Sequence, residues 1–215
     1  MRYKDILFDL DGTVTDSCEG VINSVIYSLN KFGIEVVDRK PLYQFIGPPL
    51  RDSYNKYFGF EGKELEDVVS CYREYYEDKG IFENRFYSGI IELLDELNKK
   101  GFGVHLATSK PEVFARRIMK HFDTEKYFKS ITGSNLDGSN EGKDEIIAIA
   151  IDKNNLTDLD NVVMIGDRKY DVFGAKKVGL DSIGILYGYG SRKEFEDAGA
   201  TYIIEDVEKL KAFLI

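Results

Sequence analysis

The sequence predicts an α/β fold: a doubly wound parallel sheet with an all-helical insertion after its first strand. Three observations predict it. The apolar run Ile6-Leu7-Phe8 ends in Asp9-Leu10-Asp11-Gly12, the pattern of a buried strand running into a turn. Between Asp16 and Asn84 the apolar periodicity is helical and no strand is apparent. From Arg85 onward strand-like and helix-like segments alternate, which implies parallel strands covered on both faces.

In order, the first helix runs through Val21, Ile22, Val25, Ile26, Leu29 and Phe32 and stops at Gly33. Pro41 and Ile46-Gly47-Pro48-Pro49-Leu50 mark a loop, and helices follow at 50–58 and 63–79. The second carries Leu65, Val68, Val69, Tyr72, Tyr75 and Tyr76 at spacings of three and four, the signature of a face packed on a core. The alternation then reads helix 89–100, strand 102–107, helix 111–121, strand 130–133, helix 143–153 and strand 161–166. It continues with helix 170–178, strand 181–186, helix 192–198, strand 201–204 and helix 206–214. In such sheets ligands bind beyond the carboxyl ends of the strands.

The 215 residues suffice for one good core, or for one domain with a smaller insertion. With 43% hydrophobic and 31% charged residues, the balance is that of a soluble globular protein. The net charge of -9 and the lack of a basic stripe argue against a nucleic-acid polymer as partner. Cys18 and Cys71 form no C-x-x-C pair, so neither a zinc site nor a disulfide framework is expected. His105 lies in an apolar run and reads as a core or strand residue, and with His121 alone there is no histidine metal cluster. There is no apolar run of about 18 residues to span a membrane, and the charged start of the chain is not a signal peptide. A cytoplasmic enzyme is expected.

Four polar clusters stand at predicted strand ends or helix starts. Asp9 and Asp11 are two residues apart, so on an extended backbone they point the same way. Like charges held that close need a positive partner, and Mg2+ suits one or two carboxylates plus a phosphate; an isolated Asp-x-Asp is otherwise a turn cap. Ala107-Thr108-Ser109-Lys110-Pro111 places hydroxyls between a strand and a helix, where they serve either a phosphate oxygen or the helix cap. Lys143 opens a helix, against the macrodipole, and local rules break most often where function intervenes. Val162-Val163-Met164-Ile165-Gly166-Asp167 ends an apolar strand, with Asp171 four residues on.

Asp9-Leu10-Asp11-Gly12-Thr13, Thr108, Lys143 and the pair Asp167 and Asp171 occur in this order. The set resembles the four motifs of the haloacid dehalogenase-like (HAD) hydrolase superfamily. On that resemblance residues 1–15 and 85–215 form a Rossmann-like core and 16–84 a helical cap. Ile46-Gly47-Pro48-Pro49-Leu50, Ala107-Thr108-Ser109-Lys110-Pro111 and Tyr187-Gly188-Tyr189-Gly190-Ser191 are similar to the phosphoglycolate phosphatase-like branch, and within it to 5′-nucleotidases.

The resemblance implies an Mg2+-dependent phosphatase of small phosphorylated metabolites, monomeric or homodimeric, working through an aspartyl-phosphate. It implies Asp9 as nucleophile and Asp11 as acid and base. Gly12, Thr108, Ser109 and Lys143 would meet the phosphoryl group, and Asp9, Asp11, Asp167 and Asp171 the metal, Asp11 through its carbonyl and Asp171 directly, through water or by supporting the other ligands. Arg51 is the candidate for substrate choice, against a solvated first-turn residue. Lys110, a rival to Lys143, reads as peripheral. The presence of Asp11 favours a phosphatase or a phosphomutase of the β-phosphoglucomutase type over a dehalogenase. The remaining alternative is a non-catalytic phosphate- or Mg2+-binding regulatory domain.

Overall fold

Six parallel strands carry the core in the computed structural model, which describes residues 2–215. They are β1 (Asp5–Phe8), β4 (Gly103–Pro111), β5 (Ser130–Ser134), β6 (Val162–Gly166), β7 (Asp181–Ile185) and β8 (Tyr202–Ile204). Two strands of two residues each, β2 (Thr15–Asp16) and β3 (Arg85–Phe86), form a separate two-stranded sheet. The large sheet is ordered β5-β4-β1-β6-β7-β8. Asp5 of β1 aligns with Gly103 on one side and Val162 on the other, and Phe8 with Leu106 and Ile165.

Ile6, Leu7 and Phe8 are fully buried, and every residue of β6 is buried. Such unbroken apolar runs suit strands covered on both faces, and each large side chain buried this way contributes about 1.5–3 kcal/mol. The covering helices are α4 (Ile90–Lys99), α5 (Glu112–His121), α6 (Lys143–Lys153), α7 (Lys169–Lys177), α8 (Arg192–Ala198) and α9 (Val207–Leu214). Ile146, Ile147 and Ala150 of α6 and Ala175 of α7 meet Leu7, Ala107 and Met164 of the strands in one apolar cluster. That cluster packs α6 and α7 against β1, β4 and β6.

One compact unit takes in the chain up to Thr15 and from Phe86 to Ile215, and the other spans Asp16–Arg85. The second holds α1 (Cys18–Lys31), a 3-10 helix (Lys40–Phe45), α2 (Leu50–Phe58), α3 (Gly62–Tyr75) and a π-helical turn (Tyr76–Gly80). Its buried residues include Val25, Leu29, Tyr54, Val68, Val69 and Tyr72. Among the described residues no helix is long and apolar enough to cross a membrane.

Some expectations needed adjustment. The helix expected over 63–79 is α-helical only to Tyr75 and ends in the π turn. The 3-10 helix at Lys40–Phe45 was not expected; Pro41 lies in its first turn, where a missing N–H costs nothing. β2 and β3 are too short to leave a period-two signal. β4 runs on past its expected end to Pro111, with a register shift between Thr108 and Pro111.

Candidate active site

The strand order reverses at β1. The chain places β4 and β5 on one side of it, then β6, β7 and β8 on the other. The space beyond the carboxyl ends of β1 and β6 is therefore a topological switch point. Asp9 follows β1, Asp167 follows β6, Thr108 lies in the outer part of β4, and Lys143 and Asp171 lie in the first turns of α6 and α7.

Asp9 is fixed by backbone and side chain. Its N–H donates to Ile165 O at 2.9 Å, which continues the β1–β6 ladder by one residue. Its Oδ1 accepts from the Leu10 N–H at 2.7 Å and pairs with Lys143 Nζ at 2.9 Å. Lys143 is buried, so the reading of a solvated helix-start lysine does not hold. Its ammonium also lies 2.9 Å from Asp171 Oδ1 and donates to Ala107 O at 3.3 Å. Asp171 in turn accepts the Arg168 N–H at Oδ2, 3.1 Å away, which closes the loop between β6 and α7.

Asp167 is wholly buried. Its Oδ2 accepts the backbone N–H of Tyr189 at 2.9 Å, while Oδ1 has no hydrogen-bond partner. Gly12 makes this approach possible: its φ is +82°, and a Cβ there would fall 2.1 Å from Asp167 Oδ2. The Gly12 N–H donates to Thr15 O at 2.7 Å within the turn, so what Gly12 brings to the site is room.

Thr108 is buried and does not cap α5; its hydroxyl accepts the Lys110 N–H at 3.3 Å. Pro111 holds the cap position. Ser109 anchors the loop: its hydroxyl donates to Glu141 O at 3.2 Å and its carbonyl accepts Ser134 Oγ at 2.8 Å.

Lys110 requires a correction. It is not peripheral: its Nζ lies 2.7 Å from Asp11 Oδ1, and its side chain is only 6% exposed. The register shift in the outer part of β4 accompanies this placement. Sequence alone gave no reason to pair residues 99 positions apart. The Tyr189 N–H on Asp167 was not foreseen either; the run Tyr187-Gly188-Tyr189-Gly190-Ser191 pointed to a family branch and gave Tyr189 no part in the site.

Arg51 belongs to the other unit, in the first turn of α2. Its guanidinium donates through Nε and Nη2 to the two carboxylate oxygens of Glu66, each at 2.8 Å.

The electrostatics at the switch point are unbalanced. Burial, then the neighbouring Asp171 and Asp11, push the Asp9 carboxyl up to about 7, against the pull of Lys143. Burial, with Asp171 and Asp9 close by, raises Asp167 well above the usual carboxylate range. Burial works against the charge of Lys143, but the carboxylates of Asp171 and Asp9 outweigh it and hold its proton more firmly than usual. Asp9, Asp167 and Asp171 each offer a carboxylate oxygen within 4.8 Å of the others. Three buried carboxyl groups crowd one ammonium, and Asp167 Oδ1 is an orphaned buried acceptor. A hard divalent cation fits that donor set. Asp11 adds no carboxylate to the group, since its side chain is on Lys110.

Residues 6–185 match the family model described as "Haloacid dehalogenase-like hydrolase". The chain belongs to this family. It is 42% identical over its full length to a 5′-nucleotidase of Pseudomonas aeruginosa, of which the match covers 96%. It is 36% identical over 93% of its length to the tyrosine-protein kinase PtkA of Mycobacterium tuberculosis, covering 67% of that protein. The solved structure of a predicted phosphatase from Clostridium acetobutylicum superimposes with a TM-score of 0.95 at 46% identity, covering 100% of this chain and 99% of the other. The six-stranded parallel sheet with its helical insertion is the fold that this family membership implies.

Proposed function

We propose that the chain is a phosphomonoester hydrolase that uses Asp9 as nucleophile and prefers nucleoside 5′-monophosphates. One observation carries the reaction: a buried carboxylate at the switch point has its Oδ1 held by an ammonium and a backbone N–H. Oδ2 is then the oxygen that attacks phosphorus, giving an aspartyl-phosphate and splitting one hard displacement into two easier ones. Asp11 gives a proton to the departing alkoxide and later takes one from the attacking water, one carboxyl serving two successive steps. Lys143 opposes the charge that builds up beside Asp9, and the Thr108 hydroxyl turns to a phosphoryl oxygen.

Asp9, Asp167, Asp171 and the backbone carbonyl of Asp11 would hold Mg2+. Bound there, Mg2+ screens the repulsion between carboxylate and phosphate and stabilises charge on the phosphoryl oxygens. We assign Asp16–Arg85 the role of the family's cap, with Arg51 as its residue for substrate choice.

The substrate class rests on the 42% identity to a 5′-nucleotidase over the whole chain. Two solved structures whose names suggest a phosphoglycolate phosphatase are 20% identical to the chain, a likeness of fold alone. The relative named a tyrosine-protein kinase supports a second reading, in which a tyrosine hydroxyl rather than water opens the aspartyl-phosphate. Retention of Asp9, Asp11, Lys143 and Asp167 weighs against a non-catalytic domain. The test is phosphate release from nucleoside 5′-monophosphates, phosphoglycolate and para-nitrophenyl phosphate in Mg2+, with labelled ATP and a tyrosine peptide alongside. The nucleotides should show the highest kcat/KM. Release from none of them, or transfer only to tyrosine, would overturn the proposal.

A further inference from the structure

We propose that Lys110 is a positioning residue for Asp11, selecting which carboxyl oxygen exchanges the proton with substrate. The inference rests on the phosphatase reading above and concerns a residue to which that reading gives no part.

Lys110 Nζ stands 2.7 Å from Asp11 Oδ1, with the two side chains 6% and 15% exposed. Charge-assisted bonds of this length are among the strong ones, and water has little access to compete. An ammonium is a donor only. The oxygen it holds can accept but cannot carry a proton toward it, so a proton on Asp11 resides on Oδ2.

Both backbones are fixed. Leu10 O accepts the N–H groups of Thr13, Val14 and Thr15, and Asp11 bridges to Thr15. The Lys110 N–H is tied to Thr108 Oγ1, and Ser134 holds the carbonyl of Ser109. What remains free at Asp11 is side-chain rotation, and the ammonium removes it.

In the first half-reaction the Asp9 Oδ2–P bond forms and the P–O bond to the leaving group breaks. The proton on Asp11 Oδ2 passes to the departing oxygen. In the second, a water oxygen bonds to phosphorus, its proton goes to Asp11 Oδ2, and the Asp9 Oδ2–P bond breaks. The same oxygen works twice, and Lys110 stays on Oδ1 throughout.

The test uses Lys110→Met and Lys110→Arg in the full-length chain. Two esters are compared by kcat/KM, which reports the steps up to loss of the alcohol. A nucleoside 5′-monophosphate has a leaving alkoxide that needs a proton; 2,4-dinitrophenyl phosphate has a leaving group that does not. Lys110→Met should lose tenfold or more on the nucleotide and less than threefold on the aryl ester. Lys110→Arg should show a smaller loss with the same selectivity. In an Asp11→Asn background Lys110→Met should cost less than a further twofold on the nucleotide, as a shared pathway requires.

Equal losses on both esters would put Lys110 on the phosphoryl group and overturn the proposal. So would no loss on either, or a full loss that persists beside Asp11→Asn. If Lys110→Met does not fold, equal losses in Lys110→Arg overturn it by themselves. A wild-type chain that hydrolyses neither ester would sink the phosphatase reading and this one together, an outcome distinct from the others.

Discussion

Replacing Asp9 by Asn should make the metal-free protein more stable while it destroys turnover. Burial, Asp171 and Asp11 raise the Asp9 carboxyl from 3.8 to about 7 despite Lys143. That difference, at about 1.4 kcal/mol per tenfold change in acidity, sets an upper bound of roughly 4 kcal/mol on what an ionised Asp9 costs the fold. Asn removes that charge in nearly the same shape. It also gives up the ion pair with Lys143, but Lys143 keeps Asp171 at 2.9 Å and is not stranded. A net gain of about 1–3 kcal/mol follows, and at about 2–4 °C per kcal/mol for a chain of this size the melting temperature should rise by roughly 2–12 °C.

The pH dependence has a definite sign. The unfolded chain releases the Asp9 proton near the ordinary carboxylate value and the folded chain near 7, so across that window the folded state holds the extra proton. Wild-type stability from this group is full below the window and lost as pH rises through it. The advantage of Asp9→Asn should be largest at pH 8 and vanish near pH 4. Thermal melts in chelator at both pH values measure it, and added Mg2+ should stabilise wild type more than the variant. An Asp9→Asn protein that melts below wild type at pH 8 without metal would refute the electrostatic account, and one that keeps more than a few per cent of the rate would remove Asp9 as nucleophile.

EDTA should stop hydrolysis and Mg2+ restore it, with Ca2+ inhibiting because it prefers more ligands at longer distances; full activity in chelator would exclude the metal. Lys143→Met should abolish turnover and cost about 3–5 kcal/mol in denaturant melts, since it strips the ammonium from two buried carboxylates, Asp9 and Asp171; a stable, active variant would contradict this. Arg51→Ala should raise KM for the best natural substrate about tenfold, the worth of one charge-assisted bond, and leave para-nitrophenyl phosphate little changed. Its effect on the melt should stay under about 1 kcal/mol, because the Glu66 partner is 56% exposed.

Much of the fold was legible because periodicity is a property of short windows. β1 and β6 announced themselves as apolar runs ending in aspartate, and α2, α6 and α8 begin and end where the pattern says. The turns at β2 and β3 and the π turn after Tyr75 left no such pattern. For the site, residue type and order revealed which side chains to consider. They could not reveal Lys110 on Asp11 or the Tyr189 N–H on Asp167, because those contacts depend on strand order and on a register shift far along β4. The ambiguous cases were those where local and long-range roles compete for one residue. Thr108 could have capped a helix, and Lys143 could have been solvated; Pro111 at the cap position decided the first and burial the second.

Because β1 has a strand bonded on each flank, Asp9 at its end is shielded from fraying. The margins of the sheet are β5 and β8, and a momentary opening at β8 leaves two strands, β7 and β6, between the breach and Asp9. The backbone amides of Ile6 to Asp9 should therefore be among the slowest to exchange, which hydrogen exchange measures directly. Mutations that loosen the β8 margin would thin the population of folded molecules without blunting those that remain.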